Sequence, residues 1–230
     1  TSRISIEGVN YLNGCSHEVI PDRIEAGTFL IAAAATLSAI TISPVIPSHL
    51  KSLLQKLQES GSKIIIKNNS ISIKTEKIKA VNIETAPFPG FPTDLQAPFT
   101  VLMLKASGKS IIKETIFENR MSHIELLNKM GASIKLENNI ATVSGVQKLS
   151  GRNLKGSDLR STAAIVIAAL AAENTSLVEG LEHLDRGYEN LEFKLKLLGA
   201  NIQRDLTENF SKISPQDNYF INDVEKLYAA

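Results

Sequence analysis

The chain has 230 residues, 43% of them apolar, enough for a sizeable core in one large or two small globular domains. Its 25 basic and 24 acidic residues leave a net charge of +1, so no global field draws it to nucleic acid or to a membrane surface, and any anion binding has to be local. The single cysteine, Cys15, excludes an internal disulfide framework and a thiolate zinc cluster and suits a reducing cytoplasm; the absence of Trp argues against a base-stacking surface, and no apolar run approaches the roughly 20 residues of a bilayer span.

The first residues, Thr1 to Glu7, are not a signal peptide. Ile4, Ile6 and Val9 alternate as in a strand, and residues 1–20 read as the end of a preceding domain. From there a unit recurs. Asp22, Asp94 and Asp158, spaced by 72 and 64 residues, each stand before an apolar, Ala-rich helix. Each helix gives way to a short β-rich run: Ala39 to Ser43, Lys109 to Lys113 and Thr175 to Glu179. A second, amphipathic helix follows, with Leu50, Leu53, Leu54 and Leu57 in the first copy and Leu191, Leu195 and Leu198 in the third. These helices end at Gly61, Gly131 and Gly199, where a left-handed cap is wanted, and a strand is expected after each glycine. In the first two copies that strand runs into Asn68-Asn69 or Asn138-Asn139 and a partner strand, a hairpin signal because Asn tolerates positive φ. Linking strands are expected around Val81 to Ile83 and Asn153 to Lys155.

The fold class that follows is α/β (α+β): an inside-out barrel of three helix, strand, helix, strand, strand units at about 21–85, 86–152 and 153–205. Small side chains let the first helices pack closely, so sheets enclose them. The third unit lacks its hairpin partner, and residues 206–230 form a polar tail of unassigned role.

Three first helices running in one direction bring their N-termini together as an anion-binding end. Asp22, Asp94 and Asp158 have two readings there, as N-caps worth about 1 kcal/mol each or as members of a site. Arg23 and Arg160 fall in a first helical turn, where a cation opposes the helix dipole, and Arg120 and Arg186 lie at the starts of second helices. Solvation or ion pairing accounts for each singly; together they suggest a polyanionic ligand. The segment Ala86 to Thr93 holds three prolines, read as a rigid extended loop delivering Asp94 as a candidate general base. His17, His49, His123 and His183 lack metal-ligand spacing and read as structural or surface residues. No Gly-rich phosphate loop or Gly-x-Ser-x-Gly elbow is present.

Five ordered stretches carry a resemblance: Pro21 to Phe29, Phe91 to Ala97, Thr115 to Arg120, Ser157 to Arg160 and Asp185 to Glu189. Between about Ile4 and Arg204 the chain closely resembles the C-terminal half of the UDP-N-acetylglucosamine 1-carboxyvinyltransferase family of enolpyruvyl transferases. The shikimate-pathway enolpyruvyl transferases are the nearest enzyme alternative, and a non-catalytic anion-binding or interaction module of the same fold is the other. The resemblance implies transfer of the enolpyruvyl group of phosphoenolpyruvate to the 3'-hydroxyl of UDP-N-acetylglucosamine, with release of phosphate through a tetrahedral intermediate and no cofactor or metal. It implies that Asp94 takes or orients the sugar hydroxyl proton and that Asp158 lies beside the reacting carbon. Ile116 is expected to contact the nucleotide sugar through its backbone, with Arg23 also among the substrate-binding residues. Arg160 and Arg186 are expected to hold phosphoenolpyruvate, supported by Arg120. The family's N-terminal half supplies a Lys-Asn pair, a loop with a reactive Cys or Asp and a nearby Arg, and the hairpin segment missing from the third unit. None is in this sequence. The missing half is thus the expected partner, with neither nucleic acid nor membrane, and the chain alone is expected to be inactive.

Overall fold

The computed structural model describes residues 3–146 and 148–205. Three helices are apolar on every side and therefore sit in the core rather than on a surface. These are α1 (Arg23–Ala35), α3 (Gln96–Leu104) and α5 (Leu159–Leu170), buried from Ala26 to Ala35, along all of α3 and from Ser161 to Ala169 respectively. They pack on one another. Small residues permit this approach: a Cβ on Gly27 of α1 would lie 2.5 Å from Leu95 Cδ1, just ahead of α3.

Each core helix lies against its own sheet. The first sheet joins β1 (Ala39–Ile42), β2 (Lys63–Lys67) and β3 (Ser70–Lys74) in the antiparallel order β1-β3-β2, with Ile40 opposite Ile73 and Ile64 opposite Ile73 on its other side. In the second, β4 (Ile83–Glu84) runs parallel to β5 (Lys109–Lys113), and β7 (Ile140–Ser144) pairs antiparallel with both β5 and β6 (Ser133–Glu137). The third holds β8 (Asn153–Lys155) parallel to β9 (Leu177–Glu179). Period-two burial faces each sheet to its helix: Ile71 and Ile73, Ser110 and Ile112, Ala141 and Val143, and Leu154 point inward.

The second helices are α2 (Lys51–Glu59), α4 (His123–Lys129) and the pair α6 (Leu181–Leu184) and α7 (Leu191–Leu197). Leu53, Leu54 and Leu57 are buried as their spacing predicts, and so are Leu191 and Leu195. Gly61, Gly131 and Gly199 follow these helices at φ of 107°, 91° and 92°, a conformation an L side chain rarely adopts. The hairpins turn at Asn68 and Asn138, with φ of 49° and 55°.

Three local expectations fail. Ile4, Ile6 and Val9 are exposed and residues 3–20 form neither helix nor strand, because no described strand pairs with them. Residues 200–205 likewise form no strand, since the third sheet offers β8 and β9 to each other and no hairpin partner among the described residues. The segment before Asp94 is not extended: Gly90 N–H donates to the Pro87 carbonyl at 2.8 Å and Ala86 N–H to the Phe91 carbonyl at 3.0 Å, closing a turn. The polar tail at 206–230 lies outside the described residues. Among the described residues no helix is long and apolar enough to cross a membrane.

Candidate functional site

The three acids that precede the core helices do different things. Asp22 caps α1 by accepting the Ile24 N–H at 2.7 Å. Asp158 caps α5 more completely, with Oδ1 accepting from Arg160 N and Ser161 N at 2.9 and 3.0 Å in a reciprocal capping box with the Ser161 hydroxyl. Its Oδ2 takes the Ser122 hydroxyl at 2.8 Å. Partial burial pushes the Asp158 carboxyl up, but hydrogen bonds from Ser161, Ser122 and the Arg160 backbone outweigh it and hold the acid below the ordinary Asp value.

Asp94 caps nothing. A single 3-10 turn, Thr93–Leu95, precedes α3, and neither Pro92 nor Leu95 caps it through a side chain. The Asp94 carboxylate turns instead to two guanidiniums: Oδ1 accepts from Arg160 Nε at 2.8 Å and lies 3.2 Å from Arg120 Nη1. Arg160 comes from the first turn of α5 and Arg120 from the loop before α4, so parts remote in sequence meet on one oxygen. All three side chains are partly exposed, at 28% for Asp94, 26% for Arg120 and 17% for Arg160. Two cations face one anion, and among the described residues the second carboxylate oxygen and most of the guanidinium N–H groups have no hydrogen-bond partner.

Both arginines are held from behind. Arg120 Nη1 donates to Thr93 Oγ1 at 3.2 Å, and its guanidinium lies 4.3 Å from the centre of the Phe117 ring. Arg160 approaches the buried hydroxyl of Tyr188, which is 2.8 Å from Thr28 Oγ1. The Thr28 hydroxyl also donates to the Ile24 carbonyl at 2.9 Å, which leaves the Tyr188 hydroxyl as the donor between the two side chains. Burial pushes the Tyr188 phenol up, opposed by the positive charge of Arg160 nearby. A thread of polar contacts therefore runs from Thr28 on α1 past Tyr188 to Arg160 on α5 and Asp94 before α3, which brings the starts of α3 and α5 together beside α1.

The remaining expected residues lie around this centre. Ile116 is 37% exposed, and its N–H donates to Glu114 Oε1 at 2.8 Å, which leaves its carbonyl as the backbone group open to a ligand. Arg186 is exposed, with no ion-pair partner among the described residues, and the adjoining Gly187 rests against Leu159, the first residue of α5. Arg23 is not joined to the Asp94 centre; it lies 5.6 Å from the Phe88 ring centre. A cavity of about 500 Å³ borders the same loop, lined in part by Glu114, Phe117, Asn119, Arg120 and Ser122.

Sequence reasoning passed over Thr93, Glu114, Ser122 and Tyr188. For Glu114 a signal existed: Ser110, Ile112 and Glu114 continue one period-two face, which sends a carboxylate into the core.

The chain belongs to the EPSP synthase (3-phosphoshikimate 1-carboxyvinyltransferase) family, whose sequence model matches residues 1–216. Within that family it is 65% identical over 232 residues to the UDP-N-acetylglucosamine 1-carboxyvinyltransferase of Prochlorococcus marinus strain MIT 9312, a match that takes in 99% of this chain and 50% of the relative. The same enzyme of strain AS9601 is 68% identical over 206 residues, 90% of this chain and 45% of the relative. The chain thus spans about half the length of the curated relatives it matches. Among solved structures, the enolpyruvyl transferase NikO from Streptomyces tendae superposes with a TM-score of 0.73 at 25% identity, over 79% of this chain and 43% of that one. These relatives bear out the resemblance drawn from the five motifs.

Proposed function

We propose that the chain supplies one half of a UDP-N-acetylglucosamine 1-carboxyvinyltransferase, folded as an inside-out barrel of three repeated units with the third incomplete. The carrying observation is the departure of Asp94 from its two counterparts: its carboxylate leaves the helix start and meets Arg120 and Arg160. A helix-end carboxylate held by two arginines with donors to spare suits a reaction that joins a hydroxyl to a phosphorylated, carboxylated alkene.

In that reaction the sugar 3'-oxygen bonds to C2 of phosphoenolpyruvate while C3 gains a proton. The tetrahedral adduct then loses phosphate and returns a C3 proton, which restores the alkene in the product. Asp94 accepts the hydroxyl proton through its open oxygen. Arg120, Arg160 and Arg186 bind the carboxylate and phosphate, and their charge offsets the charge gathering on the leaving phosphate. Asp158, fixed by its capping box, lies beside the reacting carbon. Ile116 offers its carbonyl to the nucleotide sugar, and Arg23 extends the basic rim. The acid that protonates C3 comes from the complementary half. The cytoplasm suits the exposed free thiol of Cys15.

A chimaera in which this chain replaces the matching half of the strain MIT 9312 relative tests the reading. Phosphate release is expected with phosphoenolpyruvate and UDP-N-acetylglucosamine, not with shikimate 3-phosphate as acceptor, and not from the 230-residue chain alone. Turnover by the isolated chain, or preference for shikimate 3-phosphate, overturns it.

A further inference from the structure

Glu114 is 1% exposed and stands one residue beyond β5, at the base of the loop that carries Ile116, Phe117 and Arg120. Its carboxylate collects four donors. Oε1 accepts from the Thr85 hydroxyl at 2.9 Å, Ile116 N at 2.8 Å and Phe117 N at 3.2 Å, and Oε2 accepts from the Thr93 hydroxyl at 2.7 Å. A buried carboxylate is costly unless it is bonded in this way, and a fully bonded one is rigid.

Counting protons shows what that rigidity achieves. A threonine hydroxyl has one proton and two lone pairs. The Thr93 proton is committed to Glu114, so the oxygen can only accept on the side facing Arg120 Nη1, 3.2 Å away. Meanwhile the Phe117 N–H is tied to the same carboxylate, which fixes the backbone of the residue whose ring lies under the Arg120 guanidinium. Glu114 thus reaches Arg120 by two routes and touches it by neither.

We infer that Glu114 is a positioning residue for Arg120, holding the guanidinium beside Asp94 by fixing the Thr93 proton and the Phe117 backbone. Its catalytic consequence rests on the function proposed above: without Glu114 the anion meets a mobile Arg120. In Glu114→Gln the amide nitrogen placed toward Thr93 is a donor, so the Thr93 proton loses its acceptor and is free to rotate toward Arg120.

Side-chain nitrogen–proton spectra of the full 230-residue chain at low temperature, with Arg120 assigned through its loss in Arg120→Lys, read this directly. Slow guanidinium rotation at Arg120 is expected in the wild type and in Thr93→Ser, which keeps the hydroxyl. It is expected to be lost in Glu114→Gln and in Thr93→Val, which keeps the shape but not the hydroxyl. If Glu114→Gln unfolds, the contrast between Thr93→Ser and Thr93→Val decides. Arg120 signals unchanged in Thr93→Val and in any folded Glu114→Gln overturn the inference. In the chimaera, the two disrupting variants should raise KM for phosphoenolpyruvate roughly ten- to hundredfold, as loss of a charge-assisted hydrogen bond does, and Thr93→Ser should not. A chimaera that never turns over phosphoenolpyruvate sinks the proposed function and leaves the Arg120 spectra to decide the positioning role.

Discussion

His123 offers a stability test that needs no ligand. It is the first residue of α4, 1% exposed, and its Nε2 has no hydrogen-bond partner among the described residues. Burial pushes the imidazole down to about 4, although the charges of Asp158 and Glu114 pull the other way. The unfolded chain holds an ordinary histidine of pKa 6.5. Between pH 6.5 and about 4 the unfolded state therefore binds a proton that the folded state refuses, so stability falls as pH falls through this window and is regained above it. Working the two constants through the linkage relation gives a loss of about 2 kcal/mol between pH 7 and pH 5. The perturbation is His123→Gln, which is close in size and cannot take up the proton. Urea unfolding of both proteins at pH 7 and pH 5 is the assay, and subtracting the variant's change removes every other titrating group. The wild type should lose about 2 kcal/mol more than the variant on acidification. Losses equal to within about 0.5 kcal/mol would mean that His123 is not held neutral by burial, and the reasoning fails.

Asp94→Ala removes the carboxylate that Arg120 and Arg160 share, and titration of the 230-residue chain with UDP-N-acetylglucosamine should show binding in the wild type and none in the variant; unchanged binding removes Asp94 from the site. Asp158→Ala strips the capping box from α5 and should cost roughly 1–2 kcal/mol in urea unfolding, against about 1 kcal/mol for Asp22→Ala, whose carboxylate accepts one backbone N–H. Tyr188→Phe leaves the ring in place and deletes the hydroxyl between Thr28 and Arg160. It should cost about 1 kcal/mol of stability in the 230-residue chain and, in the chimaera, raise KM for phosphoenolpyruvate.

What was legible in the sequence is what short-range physics decides. The caps at Gly61, Gly131 and Gly199 and the turns at Asn68 and Asn138 need only a positive φ and a residue that tolerates it. The core faces follow from period and composition. The strand expected after Gly199 shows the limit, because a strand is a property of a pair and residues 200–205 have no partner among the described residues. The segment leading to Asp94 shows another: prolines fix their own φ, but the turn is closed by backbone bonds from Ala86 and Gly90 that composition does not announce.

The candidate residues can be named from the sequence, but the partners that set them apart cannot. Asp22, Asp94 and Asp158 are written alike, and capping is the fair expectation for each. What separates them is partners far away in the chain. The Arg160 that claims Asp94 lies 66 residues on, and the Tyr188 that steadies Arg160 is bonded to a threonine 160 residues before it. Each arginine stands beside a hydroxyl: behind Arg120 a threonine whose proton goes to Glu114, and near Arg160 a tyrosine bonded to Thr28. For Arg120 the hydroxyl is turned into a pure acceptor toward the guanidinium, which secures the arginine without an added negative charge beside it. Carboxylates in those places would have neutralised the pair. Among the described residues Asp94 is the one carboxylate ion-paired with either arginine, so the cluster keeps a surplus positive charge.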